Sequence, residues 1–247
     1  MKIAIVTGAS RGLGRSTALA CAQRGTGVIL TYNSYPDGAD EVVRSIDAAG
    51  GKAVALKLDV ADIASFPSFR DSVTTALSTV WGRNDFDQLV NNAGYGLYKS
   101  IETVTETEFD GLFAVHLKGP FFLTQALLPL MARGGQIINL TSATSRVATA
   151  GVAPYAAFKG GLEVLTRYMA KEFGGRGIRA NAVSPGAIRT DLGGGLNNEF
   201  EALLAGQTAL GRVGEPGDIG RMIASLLSDD NAWVNAQTIE VSGGYVI

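Results

Sequence analysis

Short apolar runs rich in Val, Ile and Leu alternate with amphipathic stretches from one end of the chain to the other, and this alternation leaves few folds open. The runs fall near residues 2 to 7, 27 to 32, 52 to 58, 86 to 91, 135 to 141, 178 to 183 and 237 to 241. Apolarity that continues along a whole run suits a strand buried on both faces, and the intervening stretches are long enough for crossover helices. The expectation is an α/β fold: a doubly wound, seven-stranded parallel sheet flanked by helices on both faces. No repeat, charge block or Pro/Ser-rich linker divides the 247 residues, so a single domain over 1 to 247 is expected.

Charge and composition exclude several functions. With 21 Lys+Arg against 23 Asp+Glu the formal net charge is −2, and no basic excess is available for a phosphate backbone or an anionic membrane surface. Neither nucleic acid nor membrane is an expected partner. Cys21 and His116 are the only residues of their kinds, too few for a zinc site or an internal disulfide, so no metal is expected and a reducing, cytoplasmic setting fits. After Met1-Lys2 the apolar run breaks at Thr7-Gly8, shorter than the ~7 to 15 residues of a signal segment. No apolar stretch approaches the ~18 residues of a membrane span. Gly is abundant, 32 residues, nearly twice the usual ~7% share.

Several of those glycines are grouped. The first strand runs into Thr7-Gly8-Ala9-Ser10-Arg11-Gly12-Leu13-Gly14, and Ser16 to Arg24 then reads as a helix. Glycines there let the backbone turn sharply and approach a pyrophosphate at the helix N-terminus, where free N–H groups and the helix dipole favour anions. A plain strand-to-helix turn is the other reading, since the spacing G-x-x-x-G-x-G differs from the commoner G-x-G-x-x-G. Further on, Tyr155-Ala-Ala-Phe-Lys159 puts a phenol and an ammonium four residues apart on one helix face. An ammonium so placed favours the ionised phenol and lowers its pKa from ~10; the other reading is a surface helix with a snorkelling Lys. Ser142 lies just past the strand run Gln136 to Leu140, at the sheet edge where open α/β folds bind ligands, and is suited to hydrogen-bonding a substrate oxygen.

Taken together, these motifs resemble the short-chain dehydrogenase/reductase family over essentially the whole chain, in the branch that includes 3-oxoacyl-acyl-carrier-protein reductases and ketone and sugar reductases. The ordered set is Thr7-Gly8, Gly12-Leu13-Gly14, Asp59-Val60, Asn91-Asn92-Ala93-Gly94, Ser142, Tyr155, Lys159, Pro185-Gly186 and Thr190. The resemblance implies a Rossmann sheet ordered 3-2-1-4-5-6-7 and NAD(P) bound across the strand ends. It implies Tyr155 as general acid/base, Lys159 on the nicotinamide ribose and Ser142 orienting the carbonyl. By the same resemblance Gly8, Ser10, Arg11, Gly12, Leu13 and Gly14 form the phosphate turn, and Asp59 and Val60 contact adenine. Asn91, Ala93 and Gly94 line the cofactor; Pro185, Gly186, Ile188 and Thr190 surround the carboxamide.

One position departs from the family pattern. Where the family usually has Asn in the helix after Asn91 to Gly94, the matching residue is His116. That Asn holds a water, largely through its main chain, at the end of a proton relay. Pro120 has no N–H, so the carbonyl of His116 loses its helical donor and needs another, for which a water serves. His116 itself reads either as a satisfied core histidine or as an added proton shuttle.

Cofactor choice turns on the end of the second strand. An NAD site places an acid about 20 residues past the glycines; here that count reaches Asn33-Ser34, neither of them acidic. Arg11 in the glycine turn suits a 2′-phosphate, so NADP is expected over NAD, the counter-reading being a solvated Arg11 with Asp37 as the acid. Residues 191 to 212, with Gly193-Gly194-Gly195 as a hinge and Leu192, Leu196, Phe200, Leu203 and Leu204 as an apolar underside, read as a substrate lid, the other reading being a plain surface excursion. With Leu97, Tyr98, Val147 and Val152 the substrate pocket is expected to be largely apolar. The substrate reads as a small carbonyl compound. An acyl-carrier-protein substrate needs a basic docking patch, and Arg133, Arg146 and Arg176 are scattered. A serine hydrolase is disfavoured because only His116 is available as a base and no Gly-x-Ser-x-Gly occurs; a non-catalytic NAD(P) sensor is disfavoured because both Tyr155 and Lys159 are present.

The segments Phe121 to Met131 and Val152 to Phe173 read as long apolar helices. Phe122, Leu127, Leu130, Phe158, Leu162 and Leu165 exceed what one stripe buries. In the family the matching helices pair across a two-fold axis and the C-terminal segment, here Ser242 to Ile247, packs at a second interface. A homotetramer is the resulting expectation, a dimer the alternative.

Overall fold

A computed structural model describes residues 1–247. Seven strands, β1 (Ile3–Val6), β2 (Gly27–Tyr32), β3 (Ala53–Lys57), β4 (Phe86–Asn91), β5 (Met131–Leu140), β6 (Arg179–Pro185) and β7 (Thr238–Val241), form one sheet in the order β3-β2-β1-β4-β5-β6-β7. Every pairing is parallel. Eight helices cover it: α1 (Gly12–Gln23), α2 (Pro36–Ala48), α3 (Phe66–Trp81), α4 (Glu106–Phe113), α5 (Gly119–Leu127), α6 (Ala153–Phe173), α7 (Asn198–Gly206) and α8 (Pro216–Leu226). None is long and apolar enough to cross a membrane.

The strand pleat divides the core in two. Successive residues point to opposite faces, so Ile3 and Ile5 join Phe69, Leu77, Leu123 and Met169 from α3, α5 and α6. Ala4 and Val6 join Ala18, Val42, Ile219 and Ile223 from α1, α2 and α8. The chain leaves β3 on one side of β1 and re-enters the sheet at β4 on the other. Strand order reverses between β1 and β4, and a crevice opens there beyond the carboxyl ends of the strands.

Three helical details differ from the sequence expectation, each for a local reason. α1 begins at Gly12, four residues before the expected Ser16, because the glycine turn itself supplies the first helical residues. The expected helix to Met131 stops at Leu127: Pro129 cannot donate, the chain tightens into a 3₁₀ turn over Leu128–Leu130, and Met131 is already paired with Phe86 in the sheet. Ahead of Pro120 the helix widens into a π-turn over Ala114–Lys118, where the Gly119 N–H reaches back five residues to the Ala114 carbonyl.

The apolar surplus lies elsewhere than the sequence suggests. Leu127, Phe158 and Leu162 are buried within the chain, and Phe122, Leu130 and Leu165 are half-buried. The exposed apolar side chains of this face are Phe109, Phe113, Phe121, Val164 and Tyr168, one step around each helix. Of the C-terminal Tyr245-Val246-Ile247, Tyr245 is buried against its own chain, and its segment pairs with residues 207 to 210. Arg146 donates to the carbonyls of Tyr245 and Val246, at 2.8 Å each, and to Glu240.

Candidate active site

A cleft of about 750 Å³ lies along the carboxyl ends of the strands, and the glycine turn forms one wall. Gly12 is left-handed at φ +57°, with nothing nearer to an added Cβ than the Thr190 methyl at 3.9 Å, so the turn faces the cleft bare. At Gly14 a Cβ would stand 2.4 Å from both Asn92 Nδ2 and the Gly8 carbonyl, which fixes glycine there for packing. Asn92 closes this junction: its Nδ2 donates to the Thr7 carbonyl at 2.7 Å and its backbone N–H to the Thr7 hydroxyl at 2.9 Å.

At the opposite wall three side chains meet. Ser142 follows β5 by two residues, and Tyr155 lies in the first turn of α6. Lys159, one turn on, is 5% exposed and donates to the Leu140 carbonyl at 2.6 Å, which ties α6 to the end of β5. Its Nζ is 5.6 Å from the Tyr155 ring centre. Burial pushes the Tyr155 phenol up to about 12, partly countered by the Ser142 hydroxyl, and pushes Lys159 down to about 7. The expectation of a phenol lowered by its ammonium neighbour is thus corrected: burial sets the direction, and the Ser142 hydroxyl, not Lys159, is what opposes it.

His116 sits beneath the same group. It is 1% exposed, stacks edge-on against Tyr155 with ring centres 4.9 Å apart, and donates from Nε2 to the Tyr95 carbonyl at 2.8 Å. Nδ1 is buried without a hydrogen-bond partner. Burial, reinforced by Lys159, lowers its pKa to about 3, so the ring is neutral across the physiological range. A shuttle titrating near 6.5 does not match that environment.

Ser142, Tyr155, Lys159 and His116 all line the one cleft, as do Gly8, Ser10, Arg11, Gly12, Leu13, Asn33, Ser34, Asp59, Val60, Ala93, Gly94, Pro185, Gly186, Ile188 and Thr190. Two nominated residues do not. Gly14 is packed beneath the turn, and Asn91 points into the core, where its Nδ2 donates to Asn139 at 2.8 Å and Asn139 in turn donates to Thr166 of α6 at 2.9 Å. Its neighbour Asn92 lines the cleft instead. Asp37 is exposed in the first turn of α2, away from the cleft. Leu97 and Tyr98 line the outer part of the cleft together with Tyr95, Asp191 and Leu192, whereas Val147 and Val152 do not. Of the apolar residues assigned to the lid only Leu192 reaches it; Leu196, Phe200, Leu203 and Leu204 do not, and Phe200 and Leu203 are exposed. Tyr95 escaped the sequence reading because its hydrogen bond with His116 is made through its carbonyl, which residue type does not announce; its ring centre also lies 5.7 Å from that of the imidazole.

A family described as enoyl-(acyl carrier protein) reductase matches residues 8–246. An uncharacterized oxidoreductase of Methylorubrum extorquens is 41% identical over 246 residues, 98% of this chain and 97% of that protein. The 3-oxoacyl-[acyl-carrier-protein] reductase of Staphylococcus aureus is 38% identical over 245 residues, 98% of this chain and 97% of its own. Among solved structures, an angucycline C-6 ketoreductase with bound NADP superposes with a TM-score of 0.95 at 35% identity, covering 99% of this chain and 95% of that one. The chain belongs to the short-chain dehydrogenase/reductase family. It is therefore an NAD(P)-dependent oxidoreductase of the alcohol/carbonyl type.

Proposed function

We propose that the chain is an NADPH-dependent reductase interconverting a ketone or aldehyde and its alcohol, with Tyr155 as general acid and base. The observation that carries this reading is the meeting of Ser142, Tyr155 and Lys159 across the cleft from a bare glycine turn. When bound, the dinucleotide supplies the hydride. Arg11, exposed at the rim with Asn33 and Ser34, would hold a 2′-phosphate, and Asp37, the acid an NAD site would use, stands outside the cleft. Gly8, Ser10, Gly12 and Leu13 would hold the pyrophosphate, Asp59 and Val60 the adenine, and Ala93 and Gly94 the middle of the cofactor. Pro185, Gly186, Ile188 and Thr190 would hold the carboxamide end. The NADP bound by the similar ketoreductase supports this choice.

In reduction, Tyr155 Oη gives its proton to the substrate oxygen while the Ser142 hydroxyl donates to the same atom. A phenol raised by burial is protonated at neutral pH, the state that reduction requires. In the reverse direction Tyr155 must first lose that proton, so alcohol oxidation is favoured at higher pH. Lys159, brought down to about 7, is poised to exchange a proton near neutrality. His116 offers no base to a nucleophilic Ser142, because Nε2 is committed to Tyr95 and Nδ1 makes no hydrogen bond to Ser142 or any other group.

The substrate is a diffusible apolar ketone or aldehyde bordered by Tyr95, Leu97, Tyr98 and Leu192; of the lid segment 191 to 212, residues 191 to 194 line the cleft. A 3-oxoacyl thioester on a carrier protein is the second reading, supported by the Staphylococcus aureus relative. Against it, Arg133 and Arg176 donate to backbone carbonyls at the far end of the sheet, and Arg146 is engaged with Glu240 and the C-terminal carbonyls. No free basic patch faces the cleft. A panel of ketones, aldehydes and 3-oxoacyl thioesters, followed by NADPH absorbance, separates the two. Tyr155→Phe keeps the ring and removes the proton donor, so turnover falls by ~10² to 10⁴; unchanged turnover refutes the assignment.

A further inference from the structure

Ser142 opens a short turn, and the hydrogen bonds it receives decide which way its own proton points. The Thr144 backbone N–H donates to Ser142 Oγ at 3.3 Å, and the Thr144 hydroxyl donates to the same oxygen at 2.9 Å. A hydroxyl oxygen has two lone pairs and one proton. With both lone pairs engaged, the remaining tetrahedral direction belongs to the O–H. The turn that sets this geometry is itself held: the N–H groups of Ser145 and Arg146 donate to the carbonyls of Ser142 and Ala143 at 3.0 Å each, and the Ser145 hydroxyl donates to Glu163 at 2.5 Å. Glu163 belongs to α6, the helix that carries Tyr155 and Lys159. Ser142 lines the cleft; Thr144 is half-buried behind it and does not.

We propose that Thr144 is a positioning residue that makes Ser142 a donor only, so that Ser142 presents its proton to the substrate oxygen and accepts none from Tyr155. The inference rests on the roles of Tyr155 and Ser142 given above. Without the Thr144 hydroxyl, one Ser142 lone pair is free and the neighbouring phenol donates into it in the resting enzyme. Two costs follow: the Tyr155 proton must leave Ser142 before it reaches the substrate, and the neutral phenol gains an acceptor that the phenolate cannot use, which raises the phenol further. The second cost has a signature that mere loosening of the turn lacks.

The test is a cycle: Thr144→Val and Thr144→Ala, each alone and combined with Ser142→Ala, with kcat and KM measured in both directions across pH. Alone, each Thr144 variant is expected to lower kcat about 2- to 10-fold, the worth of one neutral hydrogen bond, with the KM for NADPH unchanged. The acid-side limb of alcohol oxidation moves to higher pH, and Thr144→Ser restores both. In the Ser142→Ala background the Thr144 substitutions have no further effect. Losses that multiply in the double variants, or a fall in kcat with the limb unmoved, overturn the proposal. Valine keeps the bulk of threonine and alanine does not, so poor folding of one variant leaves the other to decide. Full turnover in Ser142→Ala overturns the reading of Ser142, and the inference with it; loss in Ser142→Ala with none in Thr144→Val overturns the inference alone.

Discussion

His116→Asn changes how stability responds to acid, and the size of the change follows from where the ring sits. In the unfolded chain an imidazole takes a proton near 6.5; in the folded chain burial and Lys159 hold it to about 3. Between those values the unfolded state binds a proton that the folded state refuses, so stability is complete above pH 6.5 and is lost as pH falls. The loss is ~1.4 kcal/mol per pH unit, with a ceiling of about 5 kcal/mol near pH 3. Between pH 7.5 and 5.5 this one site costs about 1.4 kcal/mol. Asn has no proton to bind and removes that slope. The assay is equilibrium urea unfolding at fixed protein concentration, followed by the fluorescence of Trp81 and Trp233, at pH 7.5, 6.5 and 5.5. The stability difference between the parent and His116→Asn should shift by about 1.4 kcal/mol toward the variant from the highest pH to the lowest. Parallel curves for the two proteins would refute a neutral buried imidazole. Because Nε2 is bound to Tyr95 and the ring does not titrate in the working range, His116→Asn should retain turnover with no limb near pH 6.5 removed.

Arg11→Ala should weaken NADPH roughly ten- to a hundredfold, the worth of a charge-assisted bond, and leave NADH nearly unchanged; equal losses in KM for both cofactors mean that Arg11 has another task. Arg189 joins Glu201 of α7, at 2.6 and 2.7 Å, to Glu215 at the start of α8. Arg189→Ala therefore should raise the substrate KM through a freer residue 191 to 212 segment while the melting temperature and the cofactor KM stay put; a variant whose substrate KM is unchanged argues against a lid. We propose a homotetramer in which the exposed Phe109, Phe113, Phe121, Val164 and Tyr168 face pairs subunits across one two-fold axis and the C-terminal segment, with Val246 and Ile247 exposed, forms a second interface; a dimer means that the first face alone is used. Light scattering should return four times 25.7 kDa, and a monomer at micromolar concentration would leave that face without a purpose.

The sequence made the fold legible because the five inner strands, β2, β1, β4, β5 and β6, are largely buried on both faces, where apolar runs cannot be mistaken for half-solvated ones. It made Ser142, Tyr155 and Lys159 legible because a fixed helical spacing and the end of a strand place them. Where the reading slipped, the cause was orientation. Asn91 and Asn92 are adjacent and chemically alike, and only the pleat of β4 decides that the first faces the core and the second the cleft. The apolar residues of α5 and α6 were assigned to the outside one step from where the helix phase puts them. Pro120 announced a disturbance of the helix around His116 but not its form, a π-turn. The balance of burial against charge at Tyr155 depends on how completely the side chain is enclosed, which spacing does not carry.

The grip of Arg146 on the last residues has a practical side. Arg146 closes the turn that begins at Ser142, while the carbonyls it holds belong to Tyr245 and Val246, and the same tail pairs with the stretch just after α7. A purification tag or fluorescent protein attached at Ile247 therefore tugs on the substrate oxygen's hydrogen-bond donor and on the neighbourhood of α7 at once. Met1 is exposed, and Lys2 beside it pairs with Asp229, near the opposite ends of the strands. Fusions belong there.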